Sequence, residues 1–396
     1  LRMYKFLLLL CCLGFSVTFM PSNLENRSEY VEPLQRQGIQ VACSPHVNST
    51  DRYLEEFGAE FELCIISRPD TAEKCLESAR LLCPNALILY DTVDLHFLRR
   101  ERELRLTGVA PAPDSIRDQE LTAVARADAS ITVSEFDRDK LIEQVPGARV
   151  HVISNIHRTE PLETPFAERS GILFIGGFQH TPNVDAVLWF IADILPTLQG
   201  WIPDLRFHVI GSNPPDEIRA LASENVVIEG FLEDVRPQFA SRRLSVAPLR
   251  YGSGVKGKIN QSMAYGLRCV ATPPAVEGMH LEWNREILVA REPYDFAQAV
   301  AELYSHESLW SAVARDSVAS IARDYSMEVA RKGVEDLLLC HGRRLPKHGG
   351  GSGGAGHSSG STSMRPSPAV RSTLPVTRSS WTGPTRKSIA SMMRWR

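Results

Sequence analysis

The sequence predicts two successive α/β domains, each a doubly wound parallel sheet with helices on both faces, and then a tail outside both. Three observations predict this. Short apolar runs that do not alternate with polar residues recur along the chain, as in strands buried on both faces. Helical patterns separate these runs, and strand–helix repetition gives parallel sheets with right-handed crossovers. One polar, Pro-containing stretch, residues 155–170, interrupts the alternation and reads as a linker.

The first domain opens on "FLLLLCCLGFSVTFM" (6–20), which follows Arg2 and Lys5. It mimics a signal peptide, but it is too short for an ordinary transmembrane helix and has no small-x-small cleavage site. A buried helix over Tyr4–Leu13, a stop at Gly14 and the strand "FSVTFM" suit it better. Further strands are predicted at 39–43, 61–67, 86–92, 129–134 and 149–154. Helices fall at 29–37, near 50–58, and at 71–82, 118–127 and 135–144. After the linker the alternation restarts, with strands at 171–178, 205–211, 225–231, 244–249, 269–273 and 286–290. A helix spans 184–198, and three more close the domain at 294–304, 309–324 and 327–339. From His341 the chain is Gly, Ser, Pro and Arg without periodicity, a composition that predicts disorder. The expected divisions are therefore 1–157, 158–340 and 341–396.

Charge and cysteine content remove some function classes. Residues 341–396 hold ten Lys+Arg and no acid; subtracting them from 44 leaves 34 against 47 Asp+Glu, a body near −13. An acidic body argues against a broad nucleic-acid surface. The eight cysteines show no C-x-x-C pair and no zinc-like spacing with His, so they read as buried or free thiols.

"GSGVKGKI" (252–259) fits two phosphate motifs at once. Gly252, Gly254 and Gly257 match G-x-G-x-x-G; Gly252, Gly257 and Lys258 match most of a P-loop. A P-loop needs Ser or Thr after the Lys to hold Mg²⁺, and position 259 is Ile. The dinucleotide fingerprint belongs after a first strand with an acid about 20 residues on; here the turn follows a late strand, and Glu277 comes after the next strand has ended. The physics still favours an anion. Glycines let amides approach, a helix start near Gly257 adds partial positive charge, and Lys256 and Lys258 add full charges. That combination suits a diphosphate held without a metal; the plainer reading is a tight turn with solvated lysines.

"APLRYGSGVKGKINQSMAYGLRCVATPPAVEGM" (247–279) resembles the C-terminal-domain signature of bacterial family-four, group 1 type glycosyltransferases, which have the GT-B fold of two Rossmann-like domains facing a cleft. "GILFIGGFQHTPNVDAVLWF" (171–190) resembles the first strand and glycine turn of that domain, and "VVIEGFLEDV" (226–235) the segment over the nucleotide base. "PNALILYDTVDLHFLRRERE" (84–103), "ADASITVSEFDRDKL" (127–141) and "VHVISNIH" (150–157) resemble the acceptor domain of bacterial members. The resemblance covers about residues 1–340. It implies a cytoplasmic, retaining, metal-independent transferase without a cofactor, of the kind used in polysaccharide biosynthesis. The donor would be a nucleotide-diphosphate sugar, and the acceptor a glycan, a lipid-linked or a small-molecule hydroxyl compound, with peripheral contact at the inner face of a membrane conceivable.

By the same resemblance Gly176, Gly177, Gly254, Val255, Lys256 and Lys258 hold the diphosphate, Gly230 and Phe231 the base, and Gln261 the ribose. Asp94 and His96, just past strand 86–92, would orient the acceptor or stabilise charge at the sugar; otherwise Asp94 merely caps a helix and His96 packs in a turn. Family members commonly carry two acids where Ser253 and Gln261 stand, and His180 follows the glycine turn in place of a basic residue. Acceptor domains of this type also begin with a strand and Gly-rich turn before the helix that starts here near Arg2, so a central strand of the first sheet is expected to be missing. Two other readings stand beside the transferase: another GT-B enzyme, such as a nucleotide-sugar epimerase or a phosphorylase, and a non-catalytic nucleotide-sugar-binding module.

Overall fold

The computed structural model describes residues 2–108, 115–346 and 387–393. The first sheet holds β1 (Ser16–Pro21), β2 (Gln40–Val41), β3 (Phe61–Ser67), β4 (Leu87–Asp91), β5 (Ala129–Thr132) and β6 (Val150–Val152). The second holds β7 (Ile172–Ile175), β8 (Phe207–Ile210), β9 (Val226–Gly230), β10 (Leu244–Ala247), β11 (Arg268–Ala271) and β12 (Leu288–Val289), in the order β12-β11-β10-β7-β8-β9. The last strand, β13 (Ser388–Met393), returns to the first sheet, whose order is β2-β1-β13-β3-β4-β5-β6. All pairings between these strands are parallel. The two doubly wound Rossmann-like domains expected from the alternation are present, in a GT-B arrangement.

The apolar N-terminal run is core. The helix Arg2–Cys12 buries Met3, Phe6, Leu7, Leu9 and Leu10 beside β1. Among the described residues no helix is long and apolar enough to cross a membrane. The eight cysteines are free thiols, with Cys43, Cys64, Cys75, Cys83 and Cys269 buried.

Four features depart from the sequence expectation. The central position of the first sheet is filled, because β13 pairs with β1 on one side and β3 on the other. Disorder from His341 onward therefore does not hold for residues 341–346, where Leu345 packs on the first-domain core and Arg343 donates to the Asn85 carbonyl at 2.8 Å, nor for residues 387–393, where "SIASMM" buries Ile389, Ala390, Ser391 and Met392. The rest of that expectation, residues 347–386 and 394–396, lies outside the described residues. The closing helix Met327–Cys340, assigned by chain order to the second domain, packs Ala330, Val334, Leu337 and Leu338 into the first-domain core beside Ile153 and the N-terminal helix. The expected helix 184–198 is split, because Pro196 has no N–H to donate; Thr181–Trp189 and Leu195–Trp201 are joined by a wide turn at Phe190–Ile194. Finally, His96–Thr107 is a helix the sequence did not announce: "HFLRRERELRLT" buries only His96, Phe97 and Leu98.

Candidate active site

The loops after β4, β5 and β6 meet the loops after β10 and β11, so the carboxyl ends of both sheets face one another, where ligands of open α/β sheets bind. The turn 252–258 lies at the centre of this contact. Gly254 has φ 68°, and a Cβ there would stand 3.0 Å from Asp94 Cβ, so any side chain would push the domains apart. The Ser253 hydroxyl lies 3.5 Å from Asp94 Oδ2, and the Asn155 amide donates to the Val255 carbonyl at 3.2 Å.

Charged groups tie the two sides together. Arg102 donates to the Gly252 carbonyl at 2.6 Å and forks onto the Glu277 carboxylate at 2.6 and 3.0 Å. The Thr181 and Tyr251 hydroxyls both donate to Glu103 Oε1, at 2.8 and 3.1 Å. His280 Nε2 stands 2.6 Å from Glu135. None of Arg102, Glu103 and Glu277 was singled out from the sequence as a site residue, because a pair across 175 residues leaves no local pattern.

The two lysines of the turn differ. Lys256 folds back, donating to the carbonyls of Ser253 and Gly254 at 2.9 and 2.6 Å. Burial lowers its pKa to about 8, while Asp137, Glu277 and Asp94 favour its charge. Lys258, on the first turn of the helix Gly257–Ala264, donates to Asn183 Oδ1 at 2.5 Å and lies 4.5 Å from the centroid of the Phe174 ring. Asn183 in turn donates to the Gly177 carbonyl at 2.7 Å. Gly176 packs against the same Asn183 side chain, where a Cβ would come within 2.9 Å. Lys258 and the glycine turn after β7 are thus joined through one amide. Burial pulls Lys258 down to about 7, with Lys256 adding to the effect.

The remaining predicted donor residues are more scattered. Gly230 ends β9 at φ 71°, its carbonyl accepting from Gly211 at 2.8 Å, and Phe231 beside it is 72 % exposed. Val255 is partly buried against the second-domain core. Gln261 is half-buried on the same helix as Lys258.

In the first domain Asp94 and His96 do come together. His96 Nε2 is 3.1 Å from Asp94 Oδ1, and Arg99 pairs with the other carboxylate oxygen. Burial alone would raise Asp94, but the His96 bond and the Arg99, His96 and Arg68 charges hold it well below the usual carboxylate range. Asp94 does not cap the helix at His96; that role falls to Glu120, fully buried on the neighbouring helix, which accepts from the backbone N–H groups of His96 and Phe97 at 3.2 and 3.0 Å. Burial pushes Glu120 up from 4.5 to about 8. A folded-state value above the unfolded one means stability present below about 4.5 and lost as pH rises towards 8. The melting temperature of Glu120→Gln should therefore gain on that of the unaltered chain across this window; parallel melting curves would contradict the assignment.

Among the described residues no group of three or more His, Cys, Asp or Glu side chains is placed to hold a metal ion.

Comparison with known proteins bears on the same region. Residues 169–306 match the family model "Glycosyl transferases group 1", a span that contains every donor-side residue considered above. A search of curated protein sequences gives no match. Among solved structures, TarM is 16 % identical with a TM-score of 0.61 over 72 % of this chain, which spans 57 % of the TarM chain. Sucrose-phosphate synthase from Thermosynechococcus elongatus is 14 % identical with a TM-score of 0.66, over 85 % of this chain and 92 % of its own. HepE from Anabaena, in complex with UDP and glucose, is 12 % identical with a TM-score of 0.61, over 82 % of this chain and 99 % of its own. Identities this low speak to architecture: the chain has the GT-B fold, and its second domain, over residues 169–306, matches the group 1 glycosyltransferases.

Proposed function

We propose that this chain moves a sugar from a nucleotide-diphosphate sugar to an acceptor hydroxyl, with retention of anomeric configuration and without a metal. The observation that carries the reading is the seating of the turn 252–258 directly on Asp94. A group held by that turn has its reacting end beside the Asp94–His96 pair. The group 1 match over residues 169–306 agrees with a donor site there, and HepE is described in complex with UDP and glucose.

In this reading the diphosphate lies over Gly176, Gly177, Gly254, Val255, Lys256 and Lys258. Amides and ammonium groups fixed before the reaction stabilise the charge that builds as the glycosidic bond breaks. The exposed Phe231 ring and the Gly230 backbone take the base, and Gln261 hydrogen-bonds ribose hydroxyls. Ser253 and Gln261 leave the site without the two acids common in the family, so positive charge from the lysines is opposed by fewer carboxylates. Asp94 stays ionised and, with His96, faces the sugar and the acceptor. The chemistry suits a cytoplasmic setting, where nucleotide sugars are made, with the acceptor presented in solution or at the inner face of a membrane.

Screening UDP-, GDP- and ADP-sugars for thermal stabilisation tests the donor site, since a ligand at a hundred times its Kd adds about 2.7 kcal/mol. Turnover is then followed with chelator present, and the product anomer read by NMR. Stabilisation by no nucleotide sugar sinks the proposal. Donor binding without turnover favours a binding module, and an epimerised donor without sugar release favours an epimerase.

Lys258→Ala should weaken donor binding by about 1.5–3 kcal/mol, the worth of a charge-assisted hydrogen bond. Because Lys258 titrates at about 7 in the free protein, donor affinity should also fall as pH rises past that value, and this slope should vanish in the variant. Calorimetry giving equal affinities for the two chains would remove Lys258 from the site.

A further inference from the structure

A cavity of about 510 Å³ opens on the first domain and is lined by Arg27, Arg68 and Arg99 together with His96, Asn23 and Gln119. That volume suits a ligand of monosaccharide size. Two acids, Glu25 and Asp70, also line it. Arg27 is paired with Glu25 at 2.9 Å, and Arg99 with Asp94. Arg68 is different. Its Nε is buried with no hydrogen-bond partner among the described residues. Burial lowers its pKa, against the pull of Asp94, Asp70 and Asp91. A half-buried guanidinium whose Nε has no acceptor costs stability unless something fills the place, even with carboxylates near it.

The backbone around the cavity points the same way. Three helices begin on it, after β1, β3 and β4. Arg27 is the N-cap of Ser28–Arg36, Arg68 the N-cap of Pro69–Leu82, and His96 the first residue of His96–Thr107. Neither Arg27 nor Arg68 makes a side-chain cap bond, so amide groups of these two first turns have no capping side chain. Two uncapped helix starts and three guanidinium groups therefore converge on one opening, while Glu120 holds the first amides of the third helix. Arg68 also holds φ 76°, ψ 151°, a region almost reserved for glycine. A glycine would relieve that strain, yet an arginine stands there.

We propose that this cavity binds an oxyanion, and that the acceptor is a small hydroxylated compound carrying a phosphoryl or carboxylate group. The anion sits on Arg68 and Arg27, and the hydroxyl reaches His96 on the same wall. The word acceptor rests on the transferase reading above; the anion site does not.

Glucose 6-phosphate, glucuronate and glucose are titrated calorimetrically into the full chain, at low and at raised salt, with UDP titrated into the same samples. The expected result is binding of glucose 6-phosphate or glucuronate, weakened by salt, at concentrations where glucose gives no heat. Whichever of the two binds more tightly identifies the group as phosphoryl or carboxylate, and both outcomes uphold the site. Arg68→Gln should raise Kd for the anion at least tenfold and leave UDP binding unchanged. Arg68→Gly should lose the anion equally while melting at a higher temperature than the unaltered chain, which separates lost ligand from lost fold. Absence of heat with both anions, equal binding of glucose, or undiminished binding by Arg68→Gln overturns the proposal. Loss of UDP binding with the anion site intact would instead count against the transferase reading alone.

Discussion

A chain ending before Lys387 should fail to give a stable first domain. The strand it loses, β13, runs through the centre of the seven-stranded sheet, where Ile389, Ser391 and Met392 are fully buried. It pairs with β1 over Ser388–Met393 and with β3 on its other edge. Without it both neighbours face each other with unpaired N–H and C=O groups, the situation that edge strands in natural proteins are arranged to avoid. The two core layers, one on each face of the sheet, would also lose what β13 gives them, Ile389 to one and Ala390 and Met392 to the other. The expected observations are aggregation, or rapid proteolysis of the first domain while the second still melts cooperatively. A milder variant guards against reading an expression failure as proof: Ile389→Ala should cost about 2–5 kcal/mol, a fall of about 2–4 °C in Tm for each kcal/mol in a domain of this size. A truncated chain that melts like the unaltered one would show that β13 does not hold that position in solution.

The same strand marks the limit of what was legible in the sequence. "SIASMM" is short, follows a Gly-, Ser- and Pro-rich run, and has no helical pattern beside it. Nothing local separates it from the tail, and only the empty place in the first sheet asks for a strand. By contrast "FELCIIS", "ALILYDT" and "LSVAPL" declare themselves, because strands buried on both faces are apolar throughout. The phosphate turn was legible for a similar reason: glycines and lysines at fixed spacing make a local pattern. The helix His96–Thr107 was not, since a helix that buries three residues carries almost no apolar stripe. Least visible were Arg68, Arg102, Glu120 and Glu277. Each acts through a partner or a cavity assembled by the fold, and a single charged residue on a helix or loop reads as solvated until that partner is known.

Asp94→Asn is expected to lower kcat by about 10²–10³-fold, the usual worth of one preorganised electrostatic group. The substitution keeps the shape of the side chain and removes its charge. Asp94 is held ionised by His96, Arg99 and Arg68 despite burial, so it is a fixed negative charge at working pH and not a proton carrier. In the proposed reading this carboxylate lies beside the anomeric carbon and stabilises the positive charge that grows there, and its Oδ1 stands 3.1 Å from His96 Nε2. In the proposed reading donor binding belongs to the other domain, so the donor KM should change little; a drop confined to kcat is the signature of an interaction made in the transition state. Two results would set this aside. Unchanged kcat would make Asp94 a spacer for Gly254. A fall in kcat matched by a collapse of the melting temperature would make it a structural counter-charge for Arg99. His96→Gln separates the two parts of the pair, because it leaves the carboxylate in place and removes only the group it orients. A smaller loss there than in Asp94→Asn would assign the larger share of the effect to the charge itself.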